Sequence, residues 1–217
     1  MMFQAGDIAA CFGAQPVSRL IEYGTASLLA PARLRIGPSH VAMLCEHKEA
    51  MSWVESTSLC RRACLVQRRI VRGTQVHHPC ERVRDYVANG GRVDVYRLSP
   101  IYRFSESESR LLAKILIEHF VRLGIGYDLG GALLAGTRVF KCLRLFPRAD
   151  LDQLFCSELL AAVLMRLGQL NHGNPTKYTP AGLLRVLVNQ GTYQYASPAV
   201  FAGGPGAAHE YSFKVQA

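Results

Sequence analysis

An α+β fold is predicted from three observations. Short β-type segments fill the first half of the 217-residue chain, helical periodicity dominates the second half, and no repeat or linker divides the two. The hydrophobic fraction is 49% against 19% charged, which suits a chain with a sizeable core and excludes a disordered one. One domain is expected over residues 1–202, with a small antiparallel sheet or barrel packed against helices. A Gly- and Ala-rich tail over 203–217 is expected to be mobile.

The elements follow in order. "GDIAACF" (6–12) reads as a buried strand after a Gly-Asp turn. "PVSRLIEYGTASLL" (16–29) opens on a proline, which a first helical turn tolerates, and Ile21 and Leu28 recur at helical spacing. This helix is expected to pack on the core. "HVAMLCE" and "AMSWVESTS" read as two strands joined by a turn around His47 and Lys48, and "CLVQRRIV" and "RVDVYRL" as two more. "PCERVRDYVANGG" between them is a short helix stopped by Asn-Gly-Gly. Ser105 and Glu108 form a capping box for the helix that Gly124 closes. "YDLGGALLAGTRVFKCLRLF" (127–146) reads as a broken helix, "CSELLAAVLMRLG" as a core helix, and "TPAGLLRVLVNQG" as a helix capped by Thr179. "TYQYA" is a last strand.

The formal net charge is +9, with arginines concentrated at Arg61, Arg62, Arg68, Arg69, Arg72, Arg82 and Arg84. A solvated basic face is the expected reading, because no nucleic-acid motif or stacking platform accompanies them and no specific nucleic-acid binding is expected. The seven cysteines are odd in number and scattered through hydrophobic stretches, so most are expected to be reduced core residues. No apolar run reaches the length of a membrane span, and the N-terminus lacks the pattern of a signal peptide. The expected location is the cytoplasm, free or peripherally on a membrane. An anionic membrane surface is a candidate partner, because the apolar segment 16–37 carries Arg33 and Arg35 at its end.

Chemistry points to Cys156. It opens a helix whose first N–H groups have no intrahelical partners, and that environment favours a thiolate. Such a nucleophile needs a base and a group that orients the base. His40 starts one strand of the proposed hairpin. If paired residues have numbers summing to 95, Leu44 faces Met51, Ala42 faces Trp53 and His40 faces Glu55. A four-residue loop over Glu46–Glu49 fits this register, since His-Lys is not a favoured two-residue turn. Cys156, His40 and Glu55 are thus the candidate nucleophile, base and orienting acid. The backbone N–H of Cys156 is a candidate oxyanion donor, and Glu158 is expected to cap its helix. Cys60, Cys64, His77, His78 and Cys80 raise a zinc cluster, but "HHPC" does not complete a standard ligand pair, so no metal and no cofactor are expected.

With these residues the chain resembles the circularly permuted papain-like hydrolases of the NlpC superfamily, in particular the YiiX-type permuted amidase branch, with lecithin:retinol acyltransferase a distant relative. "GDI" (6–8), "SHVAML" (39–44), "YD" (127–128), "FCSELL" (155–160) and "YTPAGLL" (178–184) carry the resemblance by their order and spacing. It implies a papain-like fold and a Cys–His–Glu thiol hydrolase, an amidase or peptidase, acting on an amide or acyl bond of a peptide, cell-wall fragment or lipid. Tyr127 and Ser39 are the positions it offers as substrate-wall or oxyanion groups. The chain departs from the pattern in its arginine-rich middle and in "WVEST" around the acid. A lipid acyl-ester hydrolase or acyltransferase at a membrane surface and a non-catalytic basic binding protein are the alternatives.

Overall fold

The structure is a computed structural model and describes residues 3–124 and 155–199. Tyr127, Asp128, Cys142, the predicted broken helix 127–146 and the tail 203–217 lie outside the described residues. The described elements are β1 (Ile8–Phe12), α1 (Pro16–Gly24), β2 (His40–His47), β3 (Ala50–Thr57), β4 (Gly73–His77), α2 (Pro79–Ala88), β5 (Arg92–Leu98), α3 (Glu106–Lys114), α4 (Cys156–Arg166), α5 (Pro180–Asn189) and β6 (Tyr193–Pro198). A π-helical turn, Ile115–Val121, continues α3.

All strand pairs are antiparallel, in the order β4-β3-β2-β1-β5-β6. Among the described residues this is an open sheet with edges at β4 and β6, not a closed barrel. Successive residues of a strand point to opposite faces, and both faces are covered. Ile8, Ala10, Val41, Met43, Cys45 and Val54 join the larger core with α3, α4 and α5. Ala9, Cys11, Ala42, Leu44, Trp53 and Val95 meet α2 through Val83 and Tyr86.

The β2–β3 register differs from the expected one. Leu44 pairs with Trp53 and His47 with Ala50, so paired numbers sum to 97. The turn is the two-residue Lys48-Glu49, with φ of 53° and 60°. Two left-handed residues in succession give the hairpin turn whose twist matches the strands. Nothing in Lys-Glu advertises that conformation, which usually draws Asn or Gly. The shift is two residues, and only an odd shift exchanges the faces. His40 and Glu55 therefore remain on one face, diagonal to each other rather than opposed.

Other sequence expectations meet mixed outcomes. Gly6 is left-handed (φ 86°), and a Cβ there would run into Phe104 and Leu98. Asp7 follows it, buried and bridged to Arg97 at 2.7 Å. The "GDI" turn is thus an anchor for the start of β1. The Ser105/Glu108 capping box and the Thr179 cap are present. "CLVQRRIV" is not a strand: the Cys64 N–H donates to Arg69 O, and Arg68 is left-handed at φ 55°, which closes a loop. The strand instead is β4, "GTQVH", whose polar Thr74 and Gln75 are satisfied by carbonyls of Phe120, Thr57 and Gly73.

Helix α1 stops at Gly24 and does not bury its apolar side. Glu22 is its buried residue and turns toward Ser39 and Gly13, whereas Val17, Leu20 and Tyr23 face outward. Periodicity shows that a helix has two unlike faces; it does not say which one meets the protein.

Candidate active site

Helix α4 positions Cys156. Leu159, Leu160, Val163 and Leu164 are withdrawn from solvent. At about 1.5–3 kcal/mol for each large side chain, they fix the helix firmly in the core. Its front end is pinned twice more. The Glu158 carboxylate accepts from the Phe155 N–H at 3.1 Å, and the Ser157 hydroxyl donates to Tyr178 O at 2.6 Å. Cys156 is buried at the first helical position, where its own N–H has no intrahelical acceptor.

His40 is the first residue of β2, at the end of the sheet. Its Nε2 lies 2.7 Å from Glu55 Oε2, and Cys156 lies near enough to act on its charge. An ionised carboxylate only accepts, so Nε2 carries the proton and Nδ1 is left for the thiol. Cys156 belongs to the layer on one side of the sheet and Glu55 to the layer on the other. His40 joins them because the sheet ends there.

Glu55 has a second partner that sequence reasoning assigned to a solvated face. Arg82, on α2, is buried, donating from Nε to Oε1 at 2.7 Å and from Nη2 to Oε2 at 3.3 Å. Its Nη1 donates to Asp85 at 3.1 Å, and Asp85 accepts Arg62 at 2.6 and 2.7 Å. A charge network therefore runs from half-exposed Arg62 through Asp85, Arg82 and Glu55 to His40. The available signal was helical spacing: Arg82 lies beside Val83 and one turn before Tyr86, on the inward face of "ERVRDYV". Arg61, Arg68, Arg69, Arg72 and Arg84 are exposed, as expected of a basic face.

The electrostatics follow from these contacts. Burial works against ionised Glu55, but the Arg82 guanidinium and the His40 bond outweigh it and hold the carboxyl well below its usual range. Burial likewise works against charged His40. The nearness of Cys156, then that of the Glu55 carboxylate, overcomes this and pushes it up to about 10. The constellation favours an imidazolium beside the ionised Glu55 carboxylate, at the head of the helix that carries Cys156.

Ser39 is buried, and its hydroxyl donates to Cys11 O at 3.2 Å and accepts from Gly13 N at 3.3 Å. These bonds tie the entry of β2 to the end of β1 and so fix the backbone on which His40 stands. Tyr127 lies outside the described residues.

Behind Glu55, Cys60 and His77 bring a third and fourth polar group. One ligand atom from each of Glu55, Cys60 and His77 lies within 4.8 Å of the others, and Cys60 Sγ is 3.5 Å from His77 Nε2. Gln75 Nε2 donates to the carbonyls of Thr57 and Gly73, which turns its Oε1 to His77 Nε2 at 2.9 Å. That nitrogen therefore bears a proton. Cys64 is buried apart from this group, with its sulfur accepting from Val76 N, while His78 and Cys80 are exposed. The described cysteines are free thiols.

No protein-family model matches the chain, and no curated protein matches it in sequence. A search of solved structures does find similarity. The crystal structure titled as the metalloprotein yiiX from Escherichia coli O157:H7 superposes with a TM-score of 0.57 at 13% identity, covering 90% of this chain and 97% of that one. At that identity the likeness is one of fold.

Proposed function

We propose that the chain is a cysteine-dependent hydrolase of the permuted papain-like type, cleaving an amide or acyl bond with Cys156, His40 and Glu55. The observation that carries this reading is the position of His40, 2.7 Å from a buried carboxylate and within electrostatic reach of Cys156 at the head of α4. The thiol proton passes to His40 as the Cys156 sulfur attacks the carbonyl carbon, and the oxyanion takes the Cys156 N–H as a donor. The C–N or C–O bond breaks as His40 gives its proton to the leaving group. Water then attacks the thioester as His40 takes its proton, the C–S bond breaks to release the acid, and His40 returns the proton to the Cys156 sulfur. Glu55 keeps the ring oriented and stays ionised, because Arg82 opposes its protonation.

A resident metal does not fit the Glu55–Cys60–His77 group, although the neighbouring fold is titled a metalloprotein. Both Glu55 oxygens are engaged, a guanidinium lies against them, and His77 Nε2 is protonated toward Gln75. A cation there would face the Arg82 charge. Burial also pushes the Cys60 thiol up, away from the thiolate a metal requires. A lipid ester is the second substrate reading, favoured by the exposed apolar segment that leads into His40.

The test is labelling with a limiting thiol alkylator near about pH 6, followed by mass mapping. Cys80 is an internal competitor, since it is exposed and has no histidine partner among the described residues. Cys156 should be modified ahead of Cys80, and that preference should vanish in His40→Ala. Preferential labelling of Cys80 in the wild-type chain would overturn the assignment.

A further inference from the structure

We infer that the segment from α1 to Ile36 is a docking surface for an anionic lipid bilayer, independent of the chemistry at Cys156. Val17, Leu20, Tyr23, Leu28, Leu29 and Ile36 are all exposed, Leu28 at 87% and Leu29 at 99%. Scattered single apolar residues on a surface are ordinary, but six large ones within twenty residues are not.

The apolar loop is also rigidly built. The Arg185 guanidinium on α5 reaches across to donate to Thr25 O at 2.7 Å, to Leu34 O at 2.9 and 2.7 Å, and to Arg35 O at 3.2 Å. Ser27 N–H closes the loop on Arg35 O at 2.9 Å. Thr25 also caps α1, its hydroxyl donating to Ile21 O. The two leucines therefore stand at the tip of a loop whose base is stapled. A flexible loop could fold its leucines away; this one holds them outward, so insertion would lose little conformational entropy.

Charge selects the occupant. Arg19 and Arg35 are exposed on the segment, and Arg33 lies at its edge with its guanidinium 4.1 Å from the Tyr195 ring centroid. The one carboxylate between residues 14 and 36 is Glu22, which is buried with its Oε2 3.6 Å from Arg19, so Arg33 and Arg35 carry most of the segment's positive charge. Apolar side chains flanked by cations match an anionic headgroup layer over hydrocarbon. A second copy fits poorly, since it would bring the same arginines against each other on a chain of net charge +9. The segment continues through Gly37, Pro38 and Ser39 into His40, so seating it on a bilayer holds the proposed base near the lipid surface.

The experiment is sedimentation of the full chain with vesicles of phosphatidylcholine alone or of equal parts phosphatidylcholine and phosphatidylglycerol. The wild type should partition onto the mixed vesicles, and the double variant Leu28→Ser/Leu29→Ser should bind them at least about tenfold more weakly, as expected for losing two inserting leucines. Arg33→Gln/Arg35→Gln should weaken binding to mixed vesicles specifically. Both pairs are exposed, so thermal melts of the variants should match the wild type. Cys156→Ser should bind as the wild type does, which separates this surface from the proposed chemistry. Equal binding of the wild type and the leucine variant would overturn the inference and place any lipid attraction on the other arginines. Absence of binding, or a dimer that the leucine substitutions dissolve, would also overturn it.

Discussion

Removing the Arg82 charge should destabilise the chain because of what it leaves behind. Glu55 is fully buried and Arg82 nearly so, with donor–acceptor distances of 2.7 and 3.3 Å. Two unit charges about 4 Å apart attract by about 4 kcal/mol at an effective dielectric constant of ~20. Breaking a buried pair from one side typically costs about 3–5 kcal/mol, because the other charge is stranded. Arg82→Met should fall at the upper end, since Glu55 then keeps His40 as its only charged partner among the described contacts. Glu55→Gln should fall lower, since Arg82 retains Asp85 at 3.1 Å. The double variant strands neither charge. It should be less destabilised than the sum of the singles by at least about 2 kcal/mol. Urea unfolding of the four proteins at neutral pH, with a shared m-value, measures this. Additivity within about 0.5 kcal/mol, or single losses below about 1 kcal/mol, would refute the view that the network holds a desolvated charge pair.

Stability should also depend on pH in a defined direction. His40 is raised from 6.5 to about 10, so its stabilising contribution is complete below about pH 6.5 and is lost as pH rises toward 10. Glu55 is depressed from 4.5, so its contribution is complete above that value and is lost as pH falls below it. The two together give a plateau between about 4.5 and 6.5, readable from urea midpoints across pH. The alkaline decline should start at the same pH in Cys156→Ser but be complete at a lower one, because His40 loses the raising effect of Cys156, and a midpoint that rises above neutrality would contradict the assignment. Gly37→Ala places a Cβ against Ala181 at the start of α5. It should cost about 1–3 kcal/mol as overpacking, seen as a lowered melting temperature, and a neutral result would mean that the loop yields freely there.

The parts of the site that local chemistry specifies were readable from sequence. Cys156 opens an apolar helix, and both His40 and Glu55 occupy even-parity steps of one hairpin, so their shared face survives a register error of two. The register itself was not readable, because Lys48-Glu49 adopts a left-handed turn that its side chains do not prefer. Strand β4 hid because its inward residues include Thr74 and Gln75, polar groups that only tertiary carbonyls make acceptable in a core. Arg82 hid for the same reason. Composition reads an arginine as solvated until a buried carboxylate is found opposite it. Exposed α1 reversed the usual inference from apolar periodicity, because Glu22 is the residue it turns inward.

The sheet end where three layers meet has a consequence for synthesis. His40, Glu55 and Arg82 all lie in the first 82 residues, whereas Cys156 follows His40 by more than a hundred. At ribosomal rates of about 5–20 residues per second, that gap lasts on the order of 10 s. During it the emerging chain can assemble the hairpin and its arginine with no thiol from α4 beside them. Docking of α4 is a late, long-range closure of the kind that folds slowly. The proposed base and its orienting carboxylate therefore leave the ribosome before the proposed nucleophile, and the chemistry proposed at Cys156 waits until α4 has followed them.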